Sequence, residues 1–160
     1  TNTMHKVADE IEAGTDIPLL HIADATGDEI RHGGLSAVGL LGTRFTMEET
    51  FYRRRLEDRF GLHVLIPDES ERALVHRVIY EELCHGQIVE ESRLAYRKIL
   101  HRLAASGAEG IILGCTEISL LVGPDDSPVP LFDTTEIHAR RAAELALEPG
   151  PKHAGTAERG

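Results

Sequence analysis

Tryptophan is missing from this chain, and aromatic residues together make up only 4% of it. A core without large rings has to be built from Ile, Val and Leu, the residues that fill a buried parallel sheet. Cysteine is almost as scarce. Cys84 and Cys115 alone are too few for a disulfide framework. No apolar run approaches the length of a membrane span, and no signal-peptide pattern opens the sequence. A reduced, cytoplasmic setting is the expectation. Basic charge is also in deficit: 17 Lys and Arg stand against 27 Asp and Glu, a formal net charge of −10. That argues against nucleic-acid binding, which normally shows a basic face. It does not argue against a small anionic ligand, because one local group can hold a carboxylate.

What is present is an alternation. Short apolar runs at 17–22, 37–41, 62–66, 110–113 and 129–132 read as buried strands. Between them, amphipathic segments predict helices over 4–13, 27–32, 47–60, 69–83, 89–105, 117–121 and 136–147. In the fifth, Ile88, Leu94, Tyr96, Ile99, Leu100 and Leu103 make an apolar stripe. Thr26, Thr46 and Asp133, each followed by Glu three positions on, are expected to cap helix starts. Gly61 and Gly107 sit where helices should stop. The alternation predicts an α/β fold, a mostly parallel sheet with flanking helices. In such folds ligands bind beyond the carboxyl ends of the strands. The last stretch, 148–160, is rich in Pro, Gly and charge and reads as a disordered tail.

Three places carry candidate chemistry. In Gly114-Cys115-Thr116-Glu117 a strand ends, a glycine permits a tight turn, and a cysteine stands at the mouth of the next helix. A helix N-terminus favours thiolate over thiol and offers N–H groups to an anion. The other reading is a buried structural cysteine, as free Cys often is. Thr1-Asn2-Thr3 supplies hydroxyls and an amide that suit helix capping or a ligand carboxylate. Gly39-Leu40-Leu41-Gly42-Thr43 puts Thr43 at another strand end, as an anion contact or a solvated turn; it lacks the full dinucleotide fingerprint. None of the nine histidines has zinc-site spacing, although His5, His21 and His138 stand where a cleft could form. Cys84 reads as a small core residue. No metal is expected.

Taken together, Asn2-Thr3-Met4-His5, the stretches 18–24, 41–47 and 75–83, Gly107 through Ile118 and Phe132 through His138 resemble the aspartate/glutamate racemase family, in its amino-acid racemase branch. The resemblance covers residues 2–147. It implies two pseudo-symmetric α/β lobes with the site between them, one cysteine from each lobe, and no pyridoxal phosphate or other cofactor. One cysteine removes the α-proton of an amino-acid substrate and the other returns a proton on the opposite face. It makes Cys115 the second-lobe acid/base, places Asn2, Thr3, Thr43, Thr116 and Glu117 at the substrate, and implies a homodimer for the full-length form. Residues 1–34 with 129–147 would be what this chain holds of a first, incomplete lobe, and 35–128 the second.

Three departures from the family pattern bear on activity. The other cysteine falls at Thr1, and a hydroxyl is a far weaker acid than a thiol. A common Gly-Lys step is here Gly86-Gln87, so Gln87 would meet the substrate without charge. The family's opening segment, with a substrate-binding Arg, is not in the sequence, and the chain is read as N-terminally truncated. Aspartate or glutamate racemization is therefore the leading expectation. A related carbanion-forming isomerase or decarboxylase, or a non-catalytic remnant, are the alternatives.

Overall fold

The computed structural model describes residues 1–148. Apart from Glu148, the tail expected over 148–160 lies outside the described residues. Four of the expected strands form: β1 (Ala37–Gly42), β2 (His63–Leu65), β3 (Gly110–Gly114) and β4 (Leu131–Asp133). They make one sheet in the order β2-β1-β3-β4, with every pair parallel. The α/β reading holds. β4, grouped above apart from the other three strands, is hydrogen-bonded to β3 and forms the edge of the same four-stranded sheet.

The helices are α1 (Ala8–Ala13), α2 (Ile22–His32), α3 (Arg44–Glu48), α4 (Thr50–Phe60), α5 (Glu69–Glu81), α6 (Glu90–Ala105) and α7 (Thr134–Leu147). Leu40, Leu41, Ile111 and Ile112 are fully buried at the sheet centre, packed with Val75, Val78, Ile99 and Leu100 of α5 and α6. Near-continuous burial along β1 and β3 is what helices covering both faces impose. In α6 the stripe is shorter than expected: Tyr96, Ile99, Leu100 and Leu103 are buried, while Ile88 and Leu94 face solvent.

One expected strand does not form. In the run 17–22, Ile17 lies in a bend, residues 18–21 take no regular structure, and α2 begins at Ile22. Among the described residues no strand pairs with it, Pro18 has no N–H to offer a ladder, and Ile17 is 75% exposed. Two expected caps also fail. Thr26 lies inside α2, where its hydroxyl donates to the Ile22 carbonyl, and Thr46 lies inside α3. The true caps are His21, whose Nδ1 accepts from Ala23 N, and Thr43, which accepts from Thr46 N. Asp133 caps α7 as expected, accepting from Thr135 N and Glu136 N. The reciprocal box is at Asp68 and Glu71, starting α5. Gly61 ends α4 in the left-handed region at φ +63°.

Candidate active site

The sheet switches direction between β1 and β3. From β1 the chain moves to β2 on one side, then crosses to β3 on the other. Clefts open at the carboxyl ends of strands at such a point. There Gly42 and Gly114 are paired in register. A Cβ on Gly114 would lie 2.8 Å from the Leu41 carbonyl oxygen, and one on Gly42 would lie 3.1 Å from the Gly114 carbonyl oxygen. The strand ends are packed too closely for side chains, so the next residues, Thr43 and Cys115, step out side by side into a cleft of about 340 Å³.

Cys115 is half-buried, and its Sγ donates to Oε2 of Glu117 at 2.8 Å. The Thr116 hydroxyl donates to the same oxygen at 2.7 Å. Burial, then the hydrogen bond to Glu117, pushes the thiol up to about 12. This reverses the expected lowering. The residues after Gly114 form only a short 3₁₀ turn at Ile118–Leu120, so no helix dipole is aimed at the sulfur. Burial works against ionisation of Glu117, but the hydrogen bonds from Cys115 and Thr116 outweigh it and hold the carboxyl below its ordinary range. At neutral pH the pair is a thiol against a carboxylate.

The other wall is the N-terminal segment, which enters as a 3₁₀ turn at Thr3–Val7. Asn2 is 3% exposed, and its Nδ2 donates to the Thr134 hydroxyl at 2.9 Å. Thr3, Thr43 and Thr46 form a triangle of hydroxyls with edges of 3.3–3.4 Å. Behind them three imidazoles pack together, His5 lying 4.5 Å from His21 and 5.9 Å from His138 between ring centroids. His5 Nε2 accepts from Ile22 N at 3.2 Å, which leaves Nδ1 to donate to the Thr1 carbonyl at 3.1 Å. His138 Nε2 donates to the Leu20 carbonyl at 2.9 Å. Burial, joined by the nearby Arg55 charge, lowers His21 to about 4, and burial lowers His5 in the same direction. The histidines are fasteners holding separate stretches of chain together. Among the described residues no group of three His, Cys, Asp or Glu is placed to hold a metal ion.

Of the residues singled out in the sequence, Thr1, Asn2, Thr3, Thr43, Cys115, Thr116 and Glu117 all line this one cleft. Gln87 does not. It is exposed on the turn after α5, its backbone N–H bonded to the Glu82 carbonyl. Cys84 was expected in the core, but it is exposed and lines the cleft. The chain leaves α5 through a 3₁₀ turn, Leu83–His85, and only Leu83 of that turn is buried. Sequence reasoning also missed Phe45 and Tyr80 on the cleft wall, and Thr134 behind it. Phe45 packs edge-on against His76, and His76 in turn packs at a tilt against Tyr80; a helical spacing of four between His76 and Tyr80 was the available signal.

The sequence profile of the Asp/Glu/hydantoin racemase family matches residues 1–142. The chain belongs to that family. Two solved racemase-family structures superpose closely. A Yersinia pestis protein assigned as an Asp/Glu racemase has a TM-score of 0.89 and 58% identity, covering 92% of this chain and 64% of its own. An aspartate racemase homologue from Pyrococcus horikoshii OT3 has a TM-score of 0.81 and 39% identity, covering 91% and 64%. The broad specificity amino-acid racemase RacX of Bacillus subtilis (strain 168) is 27% identical over 147 residues, which are 91% of this chain and 62% of RacX. The chain thus spans less than two thirds of each of these racemase relatives. Among its described residues no helix is long and apolar enough to cross a membrane.

Proposed function

We propose that this chain carries part of the site of a cofactor-independent amino-acid racemase of the aspartate/glutamate type. In this reading Cys115 serves one face of the α-carbon and Thr1, or a water beside it, the other. The observation that carries the reading is the 2.8 Å hydrogen bond from the Cys115 thiol to Glu117 inside a cleft that Thr1 also lines. As acid, Cys115 gives its proton to the carbanion. As base, it first passes that proton to Glu117 and then takes the α-hydrogen as the new one. Asn2, Thr3, Thr43 and Thr116 hold the amino acid, and Glu117 holds the proton of Cys115. Gln87, outside the cleft, receives no role.

Because a threonine hydroxyl is a poor proton carrier at neutral pH, the two faces are unequal. The enantiomer whose α-hydrogen faces Cys115 should exchange that hydrogen with solvent faster than it inverts. The test follows α-hydrogen exchange in deuterated water from each enantiomer of aspartate, glutamate and a panel of neutral amino acids. The expected result is Cys115-dependent exchange of one enantiomer. If Cys115→Ala keeps the wild-type rate, the assignment is wrong.

Residues 1–34 and α7 are assigned to a first lobe, and the second lobe extends to the end of β4. A cytoplasmic homodimer is the proposed form. A second reading, ligand binding without turnover, is favoured by the thiol standing at about 12. Thiol labelling separates the two: a Cys115 that stays sluggish toward alkylating reagents at neutral pH, in a chain that catalyses no exchange, would favour binding alone.

A further inference from the structure

Thr134 opens α7 and is fully buried, and it does not line the cleft. Its hydroxyl donates to the Leu113 carbonyl at 2.9 Å and accepts from Asn2 Nδ2 at 2.9 Å. Leu113 stands two residues before Cys115, and Asn2 stands one after Thr1. A hydroxyl has one hydrogen to give. With that hydrogen spent on Leu113, Thr134 can only accept from Asn2. A flipped amide would set oxygen against oxygen, so the hydrogen-bond network dictates that Asn2 turns its NH₂ group inward. Its Oδ1 is then buried without a protein partner, on a residue that lines the cleft. An acceptor left in that state calls for a donor.

We propose that Thr134 is a positioning residue that fixes which end of the Asn2 amide faces the ligand, presenting an oxygen to an N–H donor such as the ammonium group of an amino acid. The same hydroxyl ties the segment carrying Thr1 to the strand carrying Cys115, and so sets the span across which the two act. Its activity readout rests on the racemase reading above; its structural readout does not.

The experiment compares wild type, Thr134→Val and Thr134→Ser. Valine keeps the shape and loses both hydrogen bonds, whereas serine keeps both. In α-hydrogen exchange, valine should raise KM about ten- to a hundredfold with a smaller change in kcat, and serine should stay within about threefold of wild type. Thermal melts run alongside. Loss of exchange in the serine variant equal to that in the valine variant would overturn the proposal, as would a valine variant that matches wild type. Nitrogen-15 NMR of the Asn2 side chain supplies the structural readout. Its amide protons should be protected from solvent exchange in wild type and the serine variant and unprotected in the valine variant. Protection that survives in the valine variant overturns the positioning role. If wild type shows protection but catalyses no exchange, the racemase reading falls and the positioning of Asn2 stands. If the valine variant does not fold, Asn2→Asp breaks the same link from the other side. It should raise KM as valine would, and a wild-type KM would overturn the proposal.

Discussion

The two walls of the cleft are built in different ways. The Cys115 wall is the end of a sheet: Leu40, Leu41, Ile111 and Ile112 are fully buried beneath it, and the paired glycines Gly42 and Gly114 leave room for nothing else. The Thr1 wall has little apolar support. Met4, Val7, Ile11 and Ile17 are exposed, and the segment is held by side-chain hydrogen bonds: Asn2 donates to the Thr134 hydroxyl, His5 accepts from Ile22 N, and His138 donates to the Leu20 carbonyl. Hydrophobic burial scales with area and is indifferent to pH, whereas a hydrogen bond contributes about 1 kcal/mol net and depends on the protonation of its partners. The Cys115 wall should therefore behave as part of the global fold. The Thr1 wall should open locally, at lower free energy.

The largest contrast should come from truncating one apolar residue on each side. Leu41→Ala deletes a fully buried side chain at the sheet centre and should destabilise the chain by about 3 kcal/mol. Ile17→Ala, at a residue 75% exposed, should stay within about 0.5 kcal/mol. Urea melts of the two variants check this. Equal losses would mean that the N-terminal segment shares the core.

Gly114→Ala comes next. Its Cβ would meet a backbone oxygen at 2.8 Å, which cannot swing aside as a side chain can. A cost of about 2 kcal/mol is expected from overpacking, with Cys115 displaced. A melt and a thiol-labelling rate measure the two parts. A variant with wild-type values in both would show that the strand ends have slack.

Acid should act on the opposite wall. His21 and His5 have folded-state values below their unfolded value of about 6.5, His21 at about 4. Such groups add stability above pH 6.5 that is lost as pH falls from there toward 4, because the unfolded chain takes up protons that the folded one refuses. Protonation also removes the acceptor nitrogens that hold Ile22 N and Ala23 N. The groups facing this cluster are His138 and the chain amino group at His5, and Arg55, Arg59 and Asp24 at His21. Protection from hydrogen exchange, relative to the intrinsic rate at each pH, should fall at Ile22 and Ala23 between pH 6.5 and 4 before it falls at Ile111 and Ile112. If both regions lose protection together, the walls are one cooperative unit.

The same contrast explains what could be read from the chain. The central strands β1 and β3 were legible because their burial is local and nearly continuous, and Cys115 and Thr43 were legible because glycines mark where those strands end. The run 17–22 has the same apolar composition as a strand, but composition does not reveal whether a neighbour is there to pair with it. The thiol's charge state departs from the sequence expectation because it is set by burial and then by Glu117 two residues on. A motif displays the glycine and the following turn, but it does not display either of those. Thr134 was invisible for a related reason: its partners, Asn2 and Leu113, stand 132 and 21 residues away.

Gln87 gives the smallest expected effect and a useful negative. The resemblance placed it at the substrate, as an uncharged contact. In the fold it follows Gly86, which holds φ +71° to turn the chain out of the 3₁₀ segment, and the side chain is carried into solvent away from the cleft. Gln87→Ala should change stability by less than about 0.5 kcal/mol and leave α-hydrogen exchange within error of wild type. Gln87→Lys should do the same for neutral amino acids. A lysine that speeds exchange for aspartate or glutamate alone would mean that this turn folds over the ligand during catalysis. The turn that already lines the cleft through Cys84 would then reach over the ligand, and the division between a core-supported half and a hydrogen-bonded half would no longer describe the whole site.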